Sequence, residues 1–244
     1  MLQKKGNGFE TSSLIMATDL HRARGIFRMM LGLLCGAIGS MCSAEDGTAG
    51  ETAARVVFLG DSLTAGYGID PNDAFPARVS EMIEAAELPF EIVNAGLSGD
   101  TSAGGLRRLN WLFRSPVDVL VIAVGSNDGL RGFDLEATRG NLHQIVTQVR
   151  STFPSADIVL AGLQVPPNLG PEYSLEFKSI FFELAETENL TLIPFLLEGV
   201  AAVRELNQAD GMHPNEKGHK IVAETVWKIL RPVLEARVES ERKE

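Results

Sequence analysis

The sequence predicts an α/β fold, a parallel sheet whose strands are joined by crossover helices. Three observations carry this. Short, continuously apolar runs alternate with segments whose apolar residues recur at helical spacing; no hairpin signal separates two strands; and glycine-bearing polar clusters directly follow several of the apolar runs. A continuous apolar run is a strand buried on both faces, as in parallel sheets. In such sheets the working crevice lies outside the carboxyl ends of the strands.

The elements follow in chain order. Val56-Val57-Phe58-Leu59 form the heart of a first strand over 55–59, which runs into Gly60-Asp61-Ser62-Leu63. Phe75, Val79, Met82, Ile83 and Ala86 then mark a helix over 75–86, with Pro76 near its start, where proline is tolerated. A second strand over 90–94 leads into the turn Ala95-Gly96-Leu97-Ser98-Gly99-Asp100-Thr101 and a helix over 102–113. The third strand, 117–124, is the strongest in the chain and stops at Gly125-Ser126-Asn127-Asp128. A helix over 135–152 presents Leu142, Ile145, Val146 and Val149, and 157–161 is the fourth strand. A helix over 172–188, a short strand over 190–193 and a last helix over 216–234 complete the pattern, and the mostly charged tail 237–244 is expected to fray. There is no internal repeat, low-complexity linker or second domain.

The N-terminal region has a different composition. Residues 1–24 are polar with Lys4, Lys5, Arg22 and Arg24, and 25–42 are apolar or small apart from Arg28 and Ser40, ending in Met41-Cys42-Ser43-Ala44. A basic lead, a short glycine-bearing apolar core and small residues at the exit describe a secretory signal peptide over 1–44, cleaved after Ala44. An uncleaved anchor and a buried helix are the alternatives. The lead is long for a signal, so Met16 and Met29 are alternative starts. Met41 before Cys42 argues against a lipoprotein. Both cysteines, Cys35 and Cys42, fall in the leader, which leaves residues 45–244 as a single domain without disulfide or thiol chemistry. Removing the leader takes five of 22 basic and two of 32 acidic residues, leaving 17 against 30 and a net charge of −13. Such a field repels nucleic acid and anionic membranes. Small or neutral partners are expected in a periplasmic or secreted setting, with no stable membrane span after leader removal.

Gly60-Asp61-Ser62 alone could be a turn and a helix cap. Asp210-Gly211-Met212-His213-Pro214-Asn215, near the other end, weighs toward chemistry. Acyl transfer needs a nucleophile, a base, an orienter for the base and donors for the developing oxyanion. Ser62 can be the nucleophile and His213 its base. Asp210, three residues earlier, can hold the imidazole. The backbone N–H groups of Ser62 and Gly96 and the side-chain amide of Asn127 are candidate oxyanion donors, since three strand ends should gather them on one edge. Gly96 is read as the residue whose missing Cβ lets backbone approach substrate. Of the other histidines, His21 lies in the leader, and His143 and His219 are read as surface or partly packed helix residues. No ligand set surrounds His213, so no metal is expected. Ser98 and Ser126 are loop serines, and Asp128 more plausibly caps or holds its loop than acts as an acid. No Gly-Lys-Ser/Thr follows the glycines at 60–68, which argues against a phosphate loop.

Gly60-Asp61-Ser62-Leu63, Gly96, Gly125-Ser126-Asn127-Asp128 and Asp210-Gly211-Met212-His213-Pro214-Asn215 resemble the four ordered blocks of the SGNH, or GDSL, hydrolases. The stretches 94–102 and 127–133 are similar to those of its bacterial periplasmic thioesterase, protease and lysophospholipase group and the related arylesterases. The resemblance spans 55–235. It implies a flavodoxin-like three-layer α/β/α sandwich with a five-stranded parallel sheet, a triad of Ser62, Asp210 and His213, and an oxyanion hole of Ser62, Gly96 and Asn127. It also implies an acyl pocket shaped by Leu130 and Phe133, with no metal or organic cofactor. The expected activity is hydrolysis of small-molecule carboxylic esters or acyl thioesters. Two alternatives stand beside it, a carbohydrate O-deacetylase on the same scaffold and a non-catalytic lipid-binding protein.

Overall fold

In the computed structural model, residues 53–243 are described. The leader at 1–44, its cleavage site, the alternative starts and both cysteines lie outside the described residues. β1 (Ala54–Gly60) is flanked by β2 (Phe90–Gly96) and β3 (Val119–Ala123); β4 (Asp157–Ala161) and β5 (Thr191–Ile193) continue the sheet beyond β3. All pairs are parallel and the order is β2-β1-β3-β4-β5, the flavodoxin-like doubly wound order. Helices α2 (Phe75–Ala85) and α7 (Glu216–Glu241) pack together, as do α3 (Ser102–Leu112) with α5 (Leu135–Thr152) and α5 with α6 (Pro171–Thr187). The sheet is thus covered on both sides, and every residue from Val119 to Ala123 is buried. α2 meets the core with Phe75, Val79 and Ile83, one residue per turn.

The register places the candidate site. Gly60 at the end of β1 pairs with Gly96 of β2 on one side and Ala123 of β3 on the other, so the three strands finish level. Their exits, which lead to Ser62, Gly96 and Asn127, therefore share the carboxyl edge.

Four local features differ from the sequence reading. β3 is shorter than the expected 117–124, because Asp118 interrupts the apolar run and the strand begins after it at Val119. β2 runs two residues further than the expected 90–94 and includes Gly96. Two very short helices, α1 (Ser62–Ala65) and α4 (Ser126–Leu130), were not among the expected elements, although Gly60-Asp61-Ser62 was read as a possible turn and helix cap. The tail does not fray where expected, because α7 continues to Glu241. Arg237 holds it there: its guanidinium donates to the Ser155 carbonyl at 2.8 Å, Asp157 at 3.2 Å and Asp118 at 3.0 Å. Leu230 and Leu234 are buried on the same stripe, which continues to position 237.

Candidate active site

The site is assembled from the ends of the described chain. As β1 ends, Asp61 accepts from the Leu63 N–H at 3.0 Å and starts α1, so Ser62 is the first residue of a single helical turn. The second half comes from the loop before α7. An antiparallel bridge joins Asn207 and Pro214, and the Gln208 N–H donates to the His213 carbonyl at 2.8 Å. Inside this loop Asp210 Oδ1 accepts from the N–H groups of Met212 at 2.9 Å and His213 at 3.0 Å. Asn215 closes the loop by capping α7.

These two segments meet. His213 Nε2 lies 2.9 Å from Ser62 Oγ, and His213 Nδ1 lies 2.6 Å from Asp210 Oδ2. Partial burial pushes the Asp210 carboxyl up, but the N–H groups of His213 and Met212 and the His213 ring outweigh it and hold it at about 2. An ionised Asp210 fixes the Nδ1–H tautomer, which leaves Nε2 to accept the Ser62 hydroxyl proton. The Tyr67 ring lies 4.7 Å from the His213 ring, tilted by 43°. Asp61 is fully buried and its Oδ2 has no hydrogen-bond partner. Burial pushes its carboxyl up to about 6, against the Leu63 N–H, the neighbouring Ser126 hydroxyl and His213.

Gly96 and Asn127 frame the opposite side. A Cβ on Gly96 would collide with the backbone of Thr64 and Ala65, so glycine is required by the close passage of α1. This is a second reason for glycine beside the one read from sequence, the approach of substrate. The Gly96 N–H donates to Asn94 Oδ1 at 2.9 Å, and Asn94 Nδ2 in turn donates to the Thr64 carbonyl at 2.9 Å. An oxyanion would compete with Asn94 for the Gly96 N–H. Asn127 uses one amide hydrogen on the Asp100 carbonyl at 2.9 Å and accepts at Oδ1 from Arg131 at 3.3 Å, leaving its second hydrogen uncommitted. Asp100 is itself paired with Arg108 at 2.7 Å, whose other nitrogen reaches the Gly60 carbonyl at 2.9 Å. Asn127 and the end of β1 thereby share one polar network.

Asp128 holds its loop. It is buried and accepts from the Ser102 N–H at 2.8 Å and the Ser102 hydroxyl at 2.5 Å, tying α4 to α3. Leu130 and Phe133, three and six positions after Asn127 in sequence, are exposed, and the Tyr173 hydroxyl donates to the Phe133 carbonyl at 3.0 Å. Ser98 is exposed, and His143 pairs with Glu188 on the surface at 3.0 Å. His219 departs from its reading as a surface or partly packed residue: it is buried, stacks on Phe75 and accepts the Phe75 N–H at Nδ1 at 3.2 Å. Burial pushes it down to about 4. Its spacing of three and four from Val222 and Ala223, both buried, was the available signal. Asn94, Gln208 and Leu169 were not singled out from sequence. Leu169 is exposed and packs toward Gly132, next to Phe133. Among the described residues no cluster of three or more His, Cys, Asp or Glu could hold a metal ion, and no helix is long and apolar enough to cross a membrane.

A serine, histidine and carboxylate in relay at the carboxyl edge of a doubly wound sheet define the architecture of a serine hydrolase. The GDSL-like Lipase/Acylhydrolase family model matches residues 58–221. The chain belongs to this family and is an ester hydrolase acting on small-molecule substrates. It is 38% identical over 183 residues to Esterase TesA of Pseudomonas aeruginosa, covering 75% of this chain and 90% of the relative. It is 36% identical over 184 residues to Thioesterase 1/protease 1/lysophospholipase L1 of Escherichia coli, covering 75% and 86%. The crystal structure of the psychrotrophic esterase EstA from Pseudoalteromonas sp., inhibited by monoethylphosphonate, matches with a TM-score of 0.70 at 31% identity, covering 74% of this chain and 98% of that one.

Proposed function

We propose that the protein hydrolyses carboxylic esters and acyl thioesters, of the arylesterase, acyl-CoA thioesterase or lysophospholipase type, through an acyl-enzyme on Ser62. The observation that carries this is the continuous relay from Ser62 Oγ through His213 to Asp210. His213 takes the hydroxyl proton as Ser62 attacks the carbonyl carbon, and then delivers it to the departing alcohol or thiol. Water, deprotonated by His213, releases the acid and restores Ser62. Asp210 orients the ring and stabilises the imidazolium. The oxyanion is received by the N–H groups of Ser62 and Gly96 and by Asn127 Nδ2, and Leu130 and Phe133 border the acyl chain.

The same reading takes residues 1–44 as a removable leader in front of one domain at 45–244, which places the enzyme in the periplasm or outside the cell. It requires no cofactor, and its net charge disfavours nucleic acid as a partner. The names of the two relatives support both oxygen and sulfur esters as substrates.

The test is turnover of p-nitrophenyl esters from acetyl to palmitoyl, and of an acyl-CoA, by the protein and by its Ser62→Ala variant. The variant is expected to lose several orders of magnitude in kcat. Equal rates for the two proteins would remove Ser62 as nucleophile, and a strict preference for acetyl esters of sugars would move the assignment to a deacetylase.

A further inference from the structure

Ser62 and His213 lie on loops separated by 151 positions in sequence, and something must hold those loops at hydrogen-bonding distance. Among the described residues, two hydrogen bonds join the segment 61–68 to the segment 207–215. One is His213 to Ser62 itself; the other runs from Gln208 Nε2 to the Tyr67 carbonyl at 2.6 Å. The first is consumed in every turnover, because Ser62 Oγ becomes acylated and His213 passes its proton to the leaving group. The second takes no part in the chemistry.

We propose that Gln208 is a positioning residue that keeps the nucleophile and base loops in register while the Ser62–His213 bond is broken. This rests on the reading of Ser62 and His213 as nucleophile and base. Gln208 is suited to the task at all of its polar hydrogens. Its Nε2 also donates to the Pro214 carbonyl at 3.0 Å, directly after His213, and its backbone N–H donates to the His213 carbonyl. The carboxamide thus bridges the residue after the base to a residue in the turn after the nucleophile. On the nucleophile side the amide lies against Gly68, which has φ +82° and where a Cβ would run into the Gln208 side chain. Tyr67, whose carbonyl receives the amide, also sets its ring against the His213 imidazole. The remaining side-chain bonds at the foot of the base loop, from Asn207 to the Val200 and Val203 carbonyls and from Asn215 to the Glu205 carbonyl, fasten it to the chain before it and leave the nucleophile side untouched.

The geometry separates donor chemistry from shape. Both acceptors are carbonyl oxygens, so Gln208→Met keeps the length and loses the donors, while Gln208→Glu keeps the shape and points a carboxylate at two carbonyls. With the full-length protein and a short p-nitrophenyl ester, kcat is expected to fall roughly 10–100-fold in Gln208→Met with KM nearly unchanged, as for a sub-ångström misplacement of catalytic groups. Gln208→Glu should fall further. Its kcat relative to the parent should recover as the pH is lowered from about 8 to about 5, because a carboxylic acid regains one donor. A residue that only filled space would show neither the split between kcat and KM nor that recovery. Parent-like kcat in folded Gln208→Met and Gln208→Glu, beside an inactive Ser62→Ala, overturns the proposal; turnover by Ser62→Ala instead overturns the reading beneath it. If the glutamate variant does not fold, the uncharged methionine variant decides.

Discussion

Asn127, proposed as an oxyanion donor, is a single side chain held in place in advance. One amide hydrogen is fixed on the Asp100 carbonyl and its oxygen is held by Arg131, so the plane of the amide is set before substrate arrives. Preorganised donors of this kind matter most at the transition state. Asn127→Ala is therefore expected to lower kcat by about 10²–10³ while leaving KM within a few-fold, measured on a short-chain ester. An unchanged kcat would take Asn127 out of the oxyanion hole. The residue types of the relay were legible because the chemistry constrains them: a serine after a strand and a histidine three residues from an aspartate are rare enough to stand out. Gln208 and Asn94 were not legible, because each acts on backbone carbonyls far away in sequence, and any polar loop residue could do the same. The packing reason for Gly96 was hidden, since its neighbour is the backbone of α1, which cannot be seen until the fold brings the two together.

At the scale of elements, α1 and α4 are too short to be stable alone, since helix nucleation costs more than one turn returns. No periodicity marks four or five residues, which is why neither was given a range from sequence. Their order comes from tertiary bonds, and for α4 the principal one is Asp128 to the N–H and hydroxyl of Ser102. Asp128→Ala would leave a buried N–H unpaired and release α4, costing roughly 3 kcal/mol in urea unfolding. It would also lower kcat by loosening Asn127. Stability loss with full activity would show that α4 keeps its place without Asp128. The long helices were legible from their apolar stripes, as with Leu142, Ile145, Val146 and Val149 in α5. The extension of α7 was hidden because a charged tail ordinarily means solvent, whereas Arg237 has three acceptors waiting at the amino ends of the strands.

For the molecule as a whole, two buried ionisable groups set opposing responses to pH. His219 sits at about 4 in the fold against 6.5 when free, so the stability it confers is present above about pH 6.5 and is lost as the pH falls toward 4. Asp61 is raised from 3.8 to about 6, so its contribution is full below about pH 3.8 and is lost as the pH rises through 6. Each is worth roughly 3 kcal/mol across its window, and between about pH 4 and 6 they offset. Asp61→Asn removes one arm, so chemical denaturation of that variant should show stability climbing more steeply from about pH 4.5 to 6.5 than in the parent. Parallel curves would mean that Asp61 does not titrate in this range. The architecture was the most legible level, since alternating strands and helices without hairpin signals leave few parallel topologies. The relay between Ser62 and His213 also has a meaning in time. A ribosome adding 5–20 residues per second needs roughly 8–30 s to travel from the serine to its base. During that interval the growing polypeptide carries an ordinary hydroxyl, and a prematurely terminated fragment never acquires anything more. On the proposed mechanism the hydrolytic centre comes into being only once His213 has been added, so a translation product that stops before His213 has no such relay with which to cleave esters in the compartment where it is synthesised.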